Sequence, residues 1–192
     1  MKLIRIEKIT SHRHLNLFRA DYRDQRGAAK GWIYASRQAV PKVETMDWER
    51  PDAVVIVAWH TGHRKLVVIR EYRVVLGGYQ LGFPAGLMDP GETIAETAHR
   101  ELREETGLTL TRVIRSSPPV YSSSGMTDES VSLVYAECHG EPSDAANESS
   151  EDIEVVLLDA AAAGRMIEDT SLKVDVKTWM ALSEFVRHGS IR

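Results

Sequence analysis

A chain of 192 residues has the length of one domain, or of one domain with an appended element. Hydrophobic residues make up 43% and charged residues 27%, enough apolar material for a core, which excludes disorder throughout. The 24 basic and 28 acidic residues leave a net charge of −4, which argues against nucleic acid as a partner. The longest conspicuous apolar run, Ala53 to Trp59, has seven residues where a membrane-spanning helix needs about 20, so no membrane partner is expected. Cys138 is the single cysteine, which excludes an internal disulfide and fits a cytoplasmic setting. Met1 to Lys8 alternates charged with apolar residues and predicts no secretory leader.

Three strand-like stretches, 3–9, 14–20 and 31–37, come first, with Asp24 to Gly27 as a turn. Residues 54–59 and 65–70 are rich in β-branched side chains and flank His60, Thr61, Gly62 and His63, the pattern of a hairpin with solvated histidines. From Thr93 to Thr106 the chain lacks Gly and Pro. Ile94, Ala98 and Leu102 recur every four residues, which predicts a helix with an apolar stripe, stopped at Gly107. Residues 131–136 and 153–158 read as strands on either side of a polar loop, 141–150. Asp175 caps a last helix that ends near His188, with its apolar side at Val176, Trp179, Met180, Ser183 and Val186 and with Trp179 and Met180 in the core. This order predicts an α+β (mixed α/β) fold; helices and strands alternate too sparsely for a doubly wound sheet.

The chemistry concentrates between Gly86 and Leu108. On a helix Glu101, Glu104 and Glu105 fall at i, i+3 and i+4, so three carboxylates share one face. Like charges so close repel one another unless a cation sits among them. Hard carboxylate oxygens suit Mg²⁺ or Mn²⁺, and no nearby Cys and His set suggests zinc. Arg100, four residues before Glu104, can pair with it. Three acids alone also suit a solvated helix face. The spacing decides: Gly86, Glu92, Arg100, Glu101, Leu102, Glu104, Glu105, Gly107 and Leu108 satisfy nine constrained positions over 23 residues.

That pattern resembles the Nudix box, the signature of hydrolases that cleave a nucleoside diphosphate linked to another moiety. The resemblance implies an α/β/α sandwich, with residues 46–192 as the Nudix domain and residues 1–45 as an N-terminal strand extension that builds a homodimer. It implies that Glu101 and Glu105 hold a divalent metal, that Glu104 assists, that Arg100 orients the carboxylates, and that Gly86 and Glu92 shape the loop. Glu71-Tyr72-Arg73, Gly77-Gly78-Tyr79 and Phe83 to Asp89 further resemble the ADP-ribose pyrophosphatase branch. That likeness implies a metal bond from the Ala85 carbonyl and substrate contacts from Arg73 and from Met126 and Asp128 of the Ser124–Glu129 loop. It implies a late-loop acid at Glu151, serving as metal ligand and water-activating base, with Glu148 as the alternative register.

Trp32 either stacks on a nucleobase or packs as an ordinary strand tryptophan. Two departures weaken the preference for ADP-ribose. The branch usually has Pro where this chain has Ser124, and often Glu where it has Gly82. The resulting expectation is a Mg²⁺-dependent hydrolase of a nucleoside diphosphate sugar, ADP-ribose first and GDP-mannose among the alternatives. The rival classes are a nucleotide sensor that does not cleave, against which the complete set of box carboxylates stands, and a structural domain with an acidic surface.

Overall fold

The computed structural model describes residues 1–45, 48–145, 147 and 151–191. In chain order the elements are β1 (Lys2–Lys8), β2 (Asn16–Arg23), β3 (Ala29–Ser36), α1 (Lys42–Thr45), β4 (Ala53–His60), β5 (Lys65–Arg73), β6 (Gly78–Gly82) and β7 (Ala85–Leu87). There follow α2 (Ile94–Thr106), β8 (Thr109–Ser116), β9 (Val120–Tyr121), β10 (Ser130–His139), β11 (Ile153–Leu158), α3 (Ala160–Glu168), β12 (Lys173–Val174) and α4 (Val176–His188). The chain divides into two compact units, the first formed by residues 1–52 and 119–131, the second by 53–118 and 132–192.

In the first unit β1, β2 and β3 form an antiparallel sheet in that order. Asp24 turns the chain between β2 and β3: its carboxylate accepts the Arg26 and Ala28 N–H groups, and Gly27 takes φ 83°, where a side chain would be strained. Phe18 is buried on this sheet and stacks on Tyr34 at 5.9 Å. Lys42 is buried as well, and its ammonium donates to Ser130 Oγ at 2.8 Å and the Arg50 carbonyl at 3.0 Å while pairing with Asp52 at 2.9 Å. A buried ammonium persists only with such a full set of acceptors.

In the second unit the strands run β12-β6-β5-β4-β10-β8, with β11 paired to β5 and β7 to β4. β4 is buried along most of its length and β5 over Leu66 to Ile69, because helices cover the sheet. Val54, Ile56 and Ala58 of β4 pack with Val67, Val134 and Ala136 against Ala98 and Leu102 of α2. Trp59, one residue out of step, meets Phe185 of α4 at 5.9 Å. Alternate residues of one strand thus feed two helical layers. Thr93 and Glu96 close a capping box at the start of α2, and Gly107 ends it at φ 69°. The mixed α+β fold with an N-terminal strand sheet is therefore the one the element order predicts.

Several local expectations fail. On α4 the buried residues are Thr178, Leu182 and Phe185, whereas Trp179 and Met180 are 50% and 62% exposed. The cap decides the face: the Thr178 hydroxyl donates to Asp175 Oδ2 at 2.6 Å, which turns that residue inward and the two large side chains outward. His60 is buried rather than solvated. One ring nitrogen lies 2.8 Å from the Gly140 carbonyl and the other accepts the His63 N–H. α3 and β8 carry no prediction from the sequence. Among the described residues no helix is long and apolar enough to cross a membrane.

Candidate active site

β7 pairs with the start of β4, which sets Ala85 and Gly86 in register with Val55 and Val54. Gly86 is required there. A Cβ at this position would overlap the Glu101 carboxyl group, so the missing side chain makes the room that carboxylate occupies. Behind it Arg100 gathers the loop and the helix. Its guanidinium donates to Glu92 at 2.8 and 2.9 Å, to Glu101 at 2.6 Å, to Glu104 at 3.2 Å and to the Leu87 carbonyl at 3.0 Å. The planar fork of five N–H donors makes so many simultaneous bonds feasible. Glu92 also accepts the Asp89 N–H and the Thr97 hydroxyl, and with Arg100 as the main cause its pKa is pulled down to about 2.

Glu105 behaves in the opposite way. It is 5% exposed, and burial pushes its carboxyl up to about 9; the Ala85 N–H, donating at 3.0 Å, opposes that shift. The negative charges of Glu101, Glu71 and Glu151 push it further up. Glu101 is raised by burial, relieved by Arg100, and raised again by Glu104 and Glu151. Glu71, on β5, is raised by burial and relieved by Arg73, whose Nη1 lies 2.7 Å from its Oε1. Four carboxylates from three chain segments therefore act on one another. Glu104, half exposed, stands on the outer side of the helix with Arg100. Glu151 is partly buried just before β11, beside a well-anchored residue: Asp152 accepts the Tyr79 hydroxyl at 2.7 Å and, through its carbonyl, the Tyr72 N–H at 3.0 Å.

The second unit thus brings together Arg73, Ala85, Arg100, Glu101, Glu104, Glu105 and Glu151. Trp32, Met126 and Asp128 fall in the first unit. There Trp32 is 52% exposed and not packed as a core tryptophan, and its indole N–H donates to the Gly125 carbonyl at 3.0 Å. Met126 is exposed, and Asp128 accepts the Ser36 hydroxyl at 3.0 Å. Trp32, Tyr34, Trp48, Tyr121, Thr127 and Asp128 help line a cavity of about 350 Å³ within this unit. Glu148 lies outside the described residues. Glu71, Tyr79 and Asp152 have no role in the sequence reading. Strand alternation was the available signal, since it puts Glu71 on the same face as Arg73.

The donor set fits a hard divalent cation. It consists of oxygens, it is buried, its charges oppose one another, and Gly86 leaves space beside Glu101. Among the described residues no three acid, His or Cys side chains are already gathered as a closed cage; Glu101 is turned to Arg100 and Glu105 to the Ala85 N–H.

A NUDIX domain model matches residues 49–185, and the chain belongs to the Nudix hydrolase family. Members of that family typically use a divalent metal. The chain is 44% identical over 77 residues to the ADP compounds hydrolase NudE of Escherichia coli K12, covering 38% of this chain and 40% of that protein. It is 30% identical over 138 residues to the ADP-sugar pyrophosphatase of Mus musculus, covering 70% of this chain and 60% of that one. A crystal structure of an ADP compounds hydrolase superposes over 100% of this chain and 96% of its own, with a TM-score of 0.71 and 20% identity, a likeness of fold.

The shifted acidity of Glu105 yields a prediction with a definite sign. Its carboxyl titrates at about 9 when folded and near its ordinary 4.5 when unfolded. Below the lower value both states are protonated and folding loses nothing. As pH rises from there toward about 9 the unfolded chain ionises first, so stability falls. In EDTA, the melting temperature of the wild type should decline relative to Glu105→Gln as pH rises from about 5 to about 8, and excess divalent ion should close the gap. Parallel melting profiles for the two proteins would contradict the buried, protonated carboxyl.

Proposed function

We propose that this chain hydrolyses the pyrophosphate of a nucleoside diphosphate sugar, with ADP-ribose as the first substrate and AMP and ribose 5-phosphate as products. The observation that carries the reading is the set of buried, mutually repelling carboxylates on and around α2, beside a guanidinium, Arg73, that is free of the helix. Such a site calls for a cation and receives an anion. The names of the two relatives, an ADP compounds hydrolase and an ADP-sugar pyrophosphatase, favour an adenosine diphosphate derivative. The aromatic cavity of the first unit, with Trp32 and Asp128 on its wall, has the flat apolar surfaces on which a nucleobase stacks, and Met126 belongs to the same loop as Asp128.

Glu101, Glu105, Glu151 and the Ala85 carbonyl would hold the metal, Mg²⁺ or Mn²⁺. When bound, the ion neutralises pyrophosphate oxygens and makes the bridging bond easier to break. Arg73 binds a phosphate oxygen through its fork, and Arg100 keeps Glu101 and Glu104 in place. Glu151 takes the proton of the attacking water as its oxygen bonds to phosphorus. The bridging P–O bond breaks, and the second phosphate leaves with the electron pair. Asp152, tied to Tyr79 and Tyr72, limits how far Glu151 can swing. The single thiol, Cys138, is buried and suits a cytoplasmic setting.

Incubation with ADP-ribose and Mg²⁺ tests the reading, with AMP release as the expected result. Glu105→Gln should reduce turnover about 10²-fold or more. Glu151→Gln should lower kcat within the ~10²–10⁴-fold range of a general base and leave KM nearly unchanged. A wild-type protein that binds ADP-ribose without releasing AMP would instead identify a sensor.

The N-terminal sheet is proposed to build a homodimer. It exposes Leu3, Ile4, Leu17 and Ile33, and β1 is an edge strand of that sheet, while β3 on the other edge is bridged at Ala35 to Thr127. Light scattering at micromolar concentration should read twice the 21.5 kDa of the chain, and a 21.5 kDa particle would contradict the dimer.

A further inference from the structure

Glu71 has no part in the chemistry derived above, yet it occupies one of the best-defined positions in the second unit. β5 is flanked at this point by strands on both sides: Glu71 is in register with Gln80 of β6 and with Ile153 of β11. Its side chain is only 14% exposed, and Oε1 lies 2.7 Å from Arg73 Nη1. Arg73 is placed quite differently. It ends the strand, its side chain is 49% exposed, and its backbone is in register only with Gly78. A long, half-exposed side chain at a strand end samples many rotamers in water, and fixing one of them has an entropic cost. An ion pair to a rigid, buried neighbour two residues back on the same face meets that cost before any ligand arrives.

We propose that Glu71 is a positioning residue for substrate binding: its carboxylate holds the Arg73 guanidinium beside the carboxylate cluster, preorganised for a phosphate of the nucleoside diphosphate. The inference rests on the reading of Arg73 as a phosphate-binding group. The geometry leaves that group enough capacity. A guanidinium has five N–H donors, and a contact through Nη1 leaves the Nε and Nη2 side to bind phosphate oxygens bidentately. The electrostatics agree: burial and the charge of Glu151 disfavour ionised Glu71, and the Arg73 guanidinium opposes that shift.

A positioning carboxylate makes different predictions from a metal ligand or a merely structural acid. The test compares wild type, Glu71→Gln, Arg73→Ala, Arg73→Lys and the double variant Glu71→Gln/Arg73→Ala. Two readouts are used: steady-state hydrolysis of ADP-ribose at varied Mg²⁺, and calorimetric binding of an α,β-methylene analogue of ADP-ribose that cannot be cleaved. Glu71→Gln should raise KM and the analogue's Kd about 10-fold, keep kcat within about twofold, and leave the Mg²⁺ half-saturation point unmoved. Arg73→Ala should weaken binding at least as much, and the double variant should be no worse than Arg73→Ala alone, because Glu71 acts through Arg73. Arg73→Lys, which lacks the fork, should also lose affinity.

A shifted Mg²⁺ requirement would make Glu71 a metal ligand and overturn the proposal. Additive effects in the double variant, or unchanged KM and Kd in Glu71→Gln, would overturn it equally. If the wild type releases no AMP but binds the analogue, the hydrolase reading fails alone, and the analogue affinities still decide the role of Glu71.

Discussion

Acidic side chains that are buried close together repel one another, and a fold that gathers them must supply compensating contacts or a cation. In this protein the crowded place is the inner side of α2, where Glu101 and Glu105 lie within the field of Glu71 and Glu151. Each of the first three has one relieving partner: Arg100 for Glu101, the Ala85 N–H for Glu105, and Arg73 for Glu71. These contacts reduce the strain without removing it, since all three carboxyls remain harder to ionise than usual. A metal-dependent hydrolase needs such a poised state, because the free energy withheld by repulsion returns when a divalent ion enters.

The rest of the second unit is arranged to hold that state still. Gly86 brings backbone against the Glu101 carboxyl, and β7 can lie there only because β4 pairs with it. The capping box at Thr93 and the left-handed Gly107 fix both ends of α2, while Ala98 and Leu102 anchor its buried face. β5 carries Glu71 and Arg73 on the same face and, through β11, brings the segment containing Glu151 alongside. Packing therefore sets the distances between charges, and those distances set the chemistry.

Much of this was legible in the residues because the signals are local. The helix over the box, its stop at Gly107 and the shared inner face of Glu101 and Glu105 follow from a 3.6-residue period and one glycine, whereas Glu104 turns outward with Arg100. What escaped depends on partners distant in the chain. Large apolar Trp179 and Met180 point the sequence to the wrong buried face of α4, because the Asp175 cap and Thr178 decide which side turns inward. His60 reads from the sequence as a solvated hairpin residue because nothing in its neighbourhood announces the Gly140 carbonyl, 80 residues away. Glu71 lies in a recognisable motif, yet a role as a neighbour's partner becomes visible only when strand register and burial are known.

The central claim is that the carboxylates around α2 await a divalent ion and that Glu105 stays protonated until one arrives. Calorimetric titration of the metal-free protein with Mn²⁺ at about pH 7, in two buffers of different ionisation enthalpy, reads both the affinity and the protons released. The account predicts saturable binding with release of about one proton per ion, and loss of that release in Glu105→Gln. Absence of binding, or binding that releases no proton from the wild type, would contradict it.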